Sequence, residues 1–330
     1  MDASCKVSVI IPVYRVERFV ERCAESLMSQ SMREGVEFIF VDDATPDDSI
    51  ALVRKVVERH PERAAQVRIL THEYNKGLPS ARNTGLSVAK GKYIFHCDGD
   101  DYVDNDMLEF LTNYAETEDA EFLWCDWYLT FEDKERYMVQ PKFANAEEVL
   151  IAMLSGGMKF NVWNKFVRKS LYTKNCIRFP DGYGMGEDMT MIQLAACANK
   201  VAYVSRAFYH YVKTNMNSFS QTYSERHLQE LQHNVNETVH YILSIYGCRL
   251  EREIAFFKLE AKFPFLISDG RKGEYRRWRE WYPEANAYIM QNHNISARSR
   301  WVQWLAAHNI FAAVRIYNWA LTTLYRVMYR

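Results

Sequence analysis

The chain has 330 residues, 48% of them hydrophobic and 25% charged, with a formal net charge of −1. That balance excludes bulk disorder and a general polyanion-binding surface, so nucleic acid is not an expected partner. The length fits one large domain plus an appendage better than two full domains.

In chain order, "KVSVIIPVY" and "VEFIFVDD" are short β-branched and aromatic runs that predict strands. Between them "ERFVERCAESLMSQS" repeats Phe19, Val20, Cys23, Leu27 and Met28 at helical spacing. "DSIALVRKVVERH" predicts a helix, "VRILTHE" a strand, "LPSARNTGLSVAK" a helix, and "KYIFHCD" and "AEFLWCDWYLTF" further strands. Such alternation predicts a parallel, doubly wound sheet with its ligand crevice outside the carboxyl ends of the strands. Pro12 and Tyr14, Asp42 and Asp43, and Asp98 to Asp101 each follow the last apolar residue of a strand, so three strand ends converge on that crevice. From about Ser224 the chain reads as wholly helical.

Seven cysteines are odd in number and form no C-x-x-C pair, so buried thiols are expected in place of a disulfide framework or zinc site. The start "MDASCKVSVIIPVY" has neither a basic segment nor a signal-type apolar core, and a cytoplasmic location is expected. No stretch approaches the ~20 apolar residues of a spanning helix.

"YIFHCDGDDYV" sets three carboxylates at one strand end. Close carboxylates repel one another unless a cation sits between them. Alternation places Asp98 and Asp100 on one side, with Gly99 allowing a close backbone approach and Asp101 turned elsewhere. Hard cations such as Mn2+ or Mg2+ take such oxygen ligands together with substrate phosphates. Alone, "DGDD" reads equally well as a turn. Asp42 and Asp43 at a neighbouring strand end, and Asn75, Lys76, Arg82 and Asn83 between the two acid groups, favour a nucleotide held through its diphosphate.

In order and at matching spacing, "VSVIIPVYRVERFVERCAESLMSQS", "FIFVDDATPDDS", "NKGLPSARNTGLSVAKGKYIFHCDGDDYV" and "GEDM" resemble the family-two glycosyltransferases, inverting enzymes with nucleotide-sugar donors, over about residues 6–215. The resemblance implies an α/β fold of GT-A type: a doubly wound, mostly parallel sheet flanked by helices. Residues 1–220 would form the catalytic domain, donor-binding to about 104 and acceptor-side from 105, and residues 221–330 a helical C-terminal appendage. It further implies that Pro12, Tyr14 and Glu17 line the nucleotide pocket. Asp43, and less directly Asp42, would recognise the base edge, because a carboxylate accepts the N3 proton of uracil. Lys76 and Arg82 would face the diphosphate, and Asp98 and Asp100 would hold the metal, with Asp101 a close neighbour. Two departures stand out: Arg15 where asparagine is common, and Ala44-Thr45 where Gly-Ser is common.

Glu187 and Asp188 stand at the head of a helix, where acids also serve as caps. The resemblance assigns Asp188 as the base that takes the acceptor's proton, with Glu187 an orienting neighbour. Trp163, Asn164 and Lys165 would lie near a saccharide or lipid-linked acceptor, and His210 is a weaker metal candidate. The last 35 residues hold five arginines, three tryptophans and no acid. On a helical wheel His308, Arg315, Asn318, Thr322, Arg326 and Arg330 form a polar arc, which suits peripheral contact with an anionic membrane or packing against protein, including a homodimer. A sugar-phosphate nucleotidyltransferase is disfavoured because "PVYRVERF" has no glycine. A binding module without turnover is disfavoured because all the acids are present.

Overall fold

The structure is a computed structural model that describes residues 5–213, 224–267 and 273–328. By internal packing the chain divides into two units: Met1–Glu147 with Phe160–Thr238, and Glu148–Lys159 with Val239–Arg330.

The first unit is built on β1 (Val7–Val13), α1 (Val20–Met28), β2 (Val36–Asp42), α2 (Ser49–Arg59), β3 (Val67–Thr71), α3 (Leu78–Val88) and β4 (Tyr93–His96). After them come β5 (Tyr102–Val103), α4 (Met107–Thr117), β6 (Phe122–Thr130), β7 (Glu135–Met138), α5 (Ala146–Leu154, which leads into the second unit), β8 (Lys165–Arg168), α6 (Lys169–Lys174), α7 (Thr190–Cys197), β9 (Val201–Val212) and the first half of α8 (Glu225–Tyr246). Among the described residues nine strands form one sheet in the order β3-β2-β1-β4-β8-β6-β9-β5, with β7 on β6. The run β3-β2-β1-β4 is parallel, as are β6 and β9, while β8 and β5 join antiparallel.

β1 is buried along its whole length, which is why it reads as an unbroken apolar run. On one face Val7, Val9, Ile11 and Val13 pack in a core with Val20, Cys23 and Leu27 of α1 and Met107, Leu108 and Leu111 of α4. On the other face α3 crosses so closely that a Cβ on Gly85 would stand 2.4 Å from Ile10 Cγ2. The register pairs Val13 with Asp42 and Ile10 with His96, so the carboxyl ends of β1, β2 and β4 share one edge. The strand order reverses between β1 and β4, the place where such sheets open a crevice.

Both sequence departures fall on this edge. Arg15 and Ala44 adopt φ of 54° and 53°. This left-handed region is easy for Gly and tolerated by Asn, but costs other residues about 1 kcal/mol. Thr45 compensates in part, its Oγ1 accepting from the Arg15 amide at 2.8 Å. Ala44→Gly is expected to stabilise the protein by about 0.5–1 kcal/mol, raising Tm by about 2 °C. A fall in Tm would show that the Ala44 methyl contributes more than its backbone costs.

The second unit is helical, as expected from the sequence: the end of α8, α9 (Glu251–Lys262), α10 (Pro264–Ile267), α11 (Glu274–Glu280), α12 (Ala297–Ala307) and α13 (Phe311–Met328). Trp278 is fully buried, and the ammonium of Lys262 lies 4.3 Å from its ring centre. Lys262 Nζ also donates to the carbonyls of Trp281 and Tyr282 and to Asn286 Oδ1. The outer face of α13 differs from the expected polar arc. Asn318 turns inward to donate to Leu266 O and Tyr275 Oη, whereas Ile316 and Trp319 are 67% and 71% exposed beside Arg315. Arg330 of that arc lies outside the described residues, as do the side chains of Thr322 and Arg326.

Candidate active site

At the end of β2 the two adjacent acids have different environments. Asp43 is 2% exposed and takes four donors: His72 Nδ1 at 2.7 Å, Asn75 Nδ2 at 2.9 Å, and the amides of Lys76 and Gly77, both at 2.8 Å. It therefore shapes the loop leading into α3, and the expected base-edge role does not fit a carboxylate so fully engaged. Asp42 is the more accessible acid, with Oδ1 accepting from the Thr45 amide. Asn75 serves Asp43, and Lys76 offers Asp43 its backbone while its exposed side chain lies over Tyr74. Tyr14 and Glu17 are exposed just beyond β1, and Pro12 is buried there. The Pro12 carbonyl comes so near Gly99 that a Cβ there would sit 3.1 Å from it.

The acids after β4 also divide. Asp101 is buried, its oxygens accepting from Tyr209 Oη at 2.7 Å and the Val212 amide at 2.8 Å. Burial and the neighbouring Asp100 and Asp98 push its carboxyl well above the usual range. It is a structural anchor, turned away from the other two acids as the alternation predicts. Tyr209 Oη also accepts from the Asp98 amide at 3.1 Å, so β9 fixes both acids. Asp98 and Asp100 remain partly exposed.

Arg82 ties the donor-side acids to the helix-head acids. It is 2% exposed on α3 and donates through Nη2 to Asp98 Oδ1 at 2.9 Å, and it stands 4.0 Å from Glu187 Oε1. Its Nε and Nη1 are buried without a protein partner. Burial works against its charge, but Asp98 and Glu187 outweigh that and keep the guanidinium protonated. Burial, followed by the adjacent Asp188, pushes the Glu187 carboxyl up to about 8, against the pull of Arg82. His96 is buried edge-on to Phe179 and held neutral by burial and by Arg82.

Other expected site residues are buried or engaged by protein partners, although Lys165 still feels the charge of Asp188. Trp163 is stacked between neighbours in the interior, 4.7 Å from Tyr209 and 5.3 Å from Tyr211. Asn164 donates to Cys125 O and accepts from Lys165 Nζ at 2.6 Å. All three residues are buried, so none presents a surface to an acceptor. Burial also lowers Lys165 to about 7, while Cys125 and Asp188 pull it upward. His210 lies between the rings of Tyr102 and Tyr128, its nitrogens on Glu135 and Asp104, so both positions a metal would use are engaged. Asn83 clips α3 to Phe179 and Asp181 instead of facing a nucleotide. Among the described residues no three Asp, Glu, His or Cys side chains stand together as a metal cage. Sequence reasoning missed Tyr209 and His72, whose only signal was a polar tip within or just after an apolar strand.

A family model described as glycosyl transferase family 2 matches residues 8–185. The glycosyltransferase EpsJ of Bacillus subtilis (strain 168) is 33% identical over 226 residues, 65% of this chain and 63% of EpsJ. The minor teichoic acid biosynthesis protein GgaB of the same organism is 28% identical over 220 residues, 65% of this chain and 24% of GgaB. The chain thus spans less than two thirds of the length of either relative. Among solved structures, S. aureus TarS 1-349 in complex with UDP covers 95% of this chain and 88% of its own, with a TM-score of 0.68 and 19% identity. The same TarS segment in complex with UDP-GlcNAc gives a TM-score of 0.67 at 21% identity. Those structural likenesses show the fold, and the family match covers more than half of the sequence. The chain belongs to glycosyl transferase family 2 and has the GT-A fold.

Proposed function

We propose that the protein is an inverting glycosyltransferase that moves a sugar from a uridine diphosphate donor to a hydroxyl of a saccharide or lipid-linked saccharide in surface-polysaccharide synthesis. The observation that carries this reading is Arg82, buried between Asp98 on one side and the Glu187–Asp188 turn on the other, with its Nε and Nη1 nitrogens still to satisfy. A buried guanidinium with spare donors beside acids from separate elements suits a diphosphate. The TarS complexes with UDP and UDP-GlcNAc support uridine, and the name of GgaB supports a cell-envelope polymer.

In this reading Asp42 accepts the base N3 proton, since Asp43 is saturated, and Tyr14 borders the base. Asp188 takes the proton of the acceptor hydroxyl as its oxygen attacks the anomeric carbon from the face opposite the diphosphate, so no covalent enzyme intermediate forms. Arg82 faces the negative charge that grows on the leaving group. Asp98 and Asp100 fit a hard divalent cation, Mn2+ or Mg2+: two carboxylates suit an ion that draws its other ligands from phosphate and water. Bound there, the ion supplies Lewis-acid stabilisation of the leaving diphosphate. Calorimetric titration of UDP with and without Mn2+ tests the reading. Metal-dependent binding with slow hydrolysis of a UDP-sugar is expected; equal hydrolysis in chelator, or tighter binding of GDP than UDP, would overturn it.

The outer face of α13 favours peripheral contact with an anionic membrane. Trp319 of α13 and Trp301 of the preceding α12 are exposed, and the segment 296–330 carries arginines and no acid. A second copy packed on the same face about a two-fold axis would oppose arginine to arginine. Among the described residues no helix is long and apolar enough to cross a membrane. Cosedimentation with vesicles containing phosphatidylglycerol, reduced at least fivefold in Trp319→Ser and absent with pure phosphatidylcholine, is expected; no sedimentation with either lipid would remove the membrane contact.

A further inference from the structure

The segment before the base, "DGYGMGED", has three glycines within five residues, and two of them, Gly182 and Gly186, adopt φ of 81° and 87°. Such a stretch has little intrinsic preference for one shape, so its geometry must be imposed by neighbours. α8 supplies them. Asn234 Nδ2 donates to both Tyr183 O at 2.9 Å and Met185 O at 2.8 Å, and the Met185 amide donates to Glu230 Oε2 at 3.2 Å. Asn234 and Glu230 are 3% and 5% exposed, and Arg226 Nε holds the other Glu230 oxygen at 2.8 Å.

Side chains on the same helical face complete the hold. The His233 ring stacks on Tyr183 at 3.6 Å between centres, and Leu231 lies so near Gly186 that a Cβ there would be 3.3 Å from Leu231 Cδ1. Positions 230, 231, 233 and 234 are neighbours on a helix surface. All belong to the same compact unit as Asp188, yet all lie beyond the residues matched by the family model.

We infer that Asn234 and Glu230 of α8 are positioning residues for the Glu187–Asp188 turn, acting through the backbone of Tyr183 and Met185. Because the turn follows Gly186 directly, a shift of this backbone moves the base relative to Arg82 and Asp98. Misplacement by about 1 Å costs on the order of 100-fold in rate. The functional half of this inference rests on the glycosyltransferase reading; the structural half does not.

The test compares the full chain with Asn234→Leu, which keeps the volume but removes both donors, and with Glu230→Ala and Glu230→Gln, the last retaining an acceptor for the Met185 amide. Hydrogen–deuterium exchange of residues 184–188 is expected to quicken at least tenfold in Asn234→Leu while β1 and β4 stay protected. In hydrolysis of a panel of UDP-sugars, kcat falls at least tenfold with donor KM unchanged. Glu230→Gln stays near wild type and Glu230→Ala does not. Unchanged exchange at 184–188, faster exchange with unchanged kcat, or equal behaviour of the two Glu230 variants overturns the inference. If Asn234→Leu loses protection throughout the chain, the Glu230 pair decides. A wild type without turnover sinks the enzyme reading, and the exchange results then decide the clamp alone.

Discussion

Asp188→Asn is expected to keep UDP binding within about twofold of wild type while lowering turnover by about 10³-fold, in the range lost when a general base is removed. Glu187→Gln is expected to lose less than about tenfold. The asymmetry follows from the environments of two adjacent carboxyls. Glu187, buried beside Asp188, holds its proton up to about 8, so at neutral pH it cannot accept another, and glutamine mimics that protonated form. In the proposed mechanism the base at this turn is therefore Asp188. Measuring kcat and UDP affinity for both variants checks the assignment: if Glu187→Gln proves as inactive as Asp188→Asn, the two acids exchange roles.

Much of the donor half was legible because its strands are buried on both faces and read as continuous apolar runs, with acids marking where each strand ends. β5 and β7 gave no such signal, being two and four residues long, and β7 is largely exposed. The polar residues were harder to read than the strands. Nothing local distinguishes Asp42 from Asp43; the difference arises because Ala44 turns left-handed and the 72–77 loop closes over the second acid. "NVWNK" looked like a surface for an acceptor, but its burial is produced by Cys125 on β6 and by Tyr209 and Tyr211 on β9, all distant in sequence. The departures at Arg15 and Ala44 were visible as substitutions, whereas their meaning, positive φ at both, required the backbone.

Arg82→Leu is expected to destabilise the fold by about 2–4 kcal/mol near pH 7, the cost of stranding one side of a buried ion pair, moderated because the Asp98 side chain is 26% exposed. The loss should be clearly larger near pH 9.5. Without the guanidinium, Glu187 binds its proton more tightly in the folded state than it does in wild type. Carboxyls with raised folded pKa values contribute stability that is full below the unfolded value and lost as pH rises through the folded one. For Glu187, already near 8 in wild type, that window spans roughly pH 4.5 to above 8. Below pH 8 wild type and variant both hold that proton, so the penalty for removing Arg82 grows only as pH rises above 8. Arg82→Lys retains the charge but not the planar fork, so it should recover most of the stability at pH 7 and little of the turnover. Denaturant titrations of the three proteins at pH 7 and pH 9.5 decide the matter. An equal loss at both pH values would mean that Arg82 stabilises the fold through its packing on Phe179, 5.6 Å from the ring centre, and not through its charge.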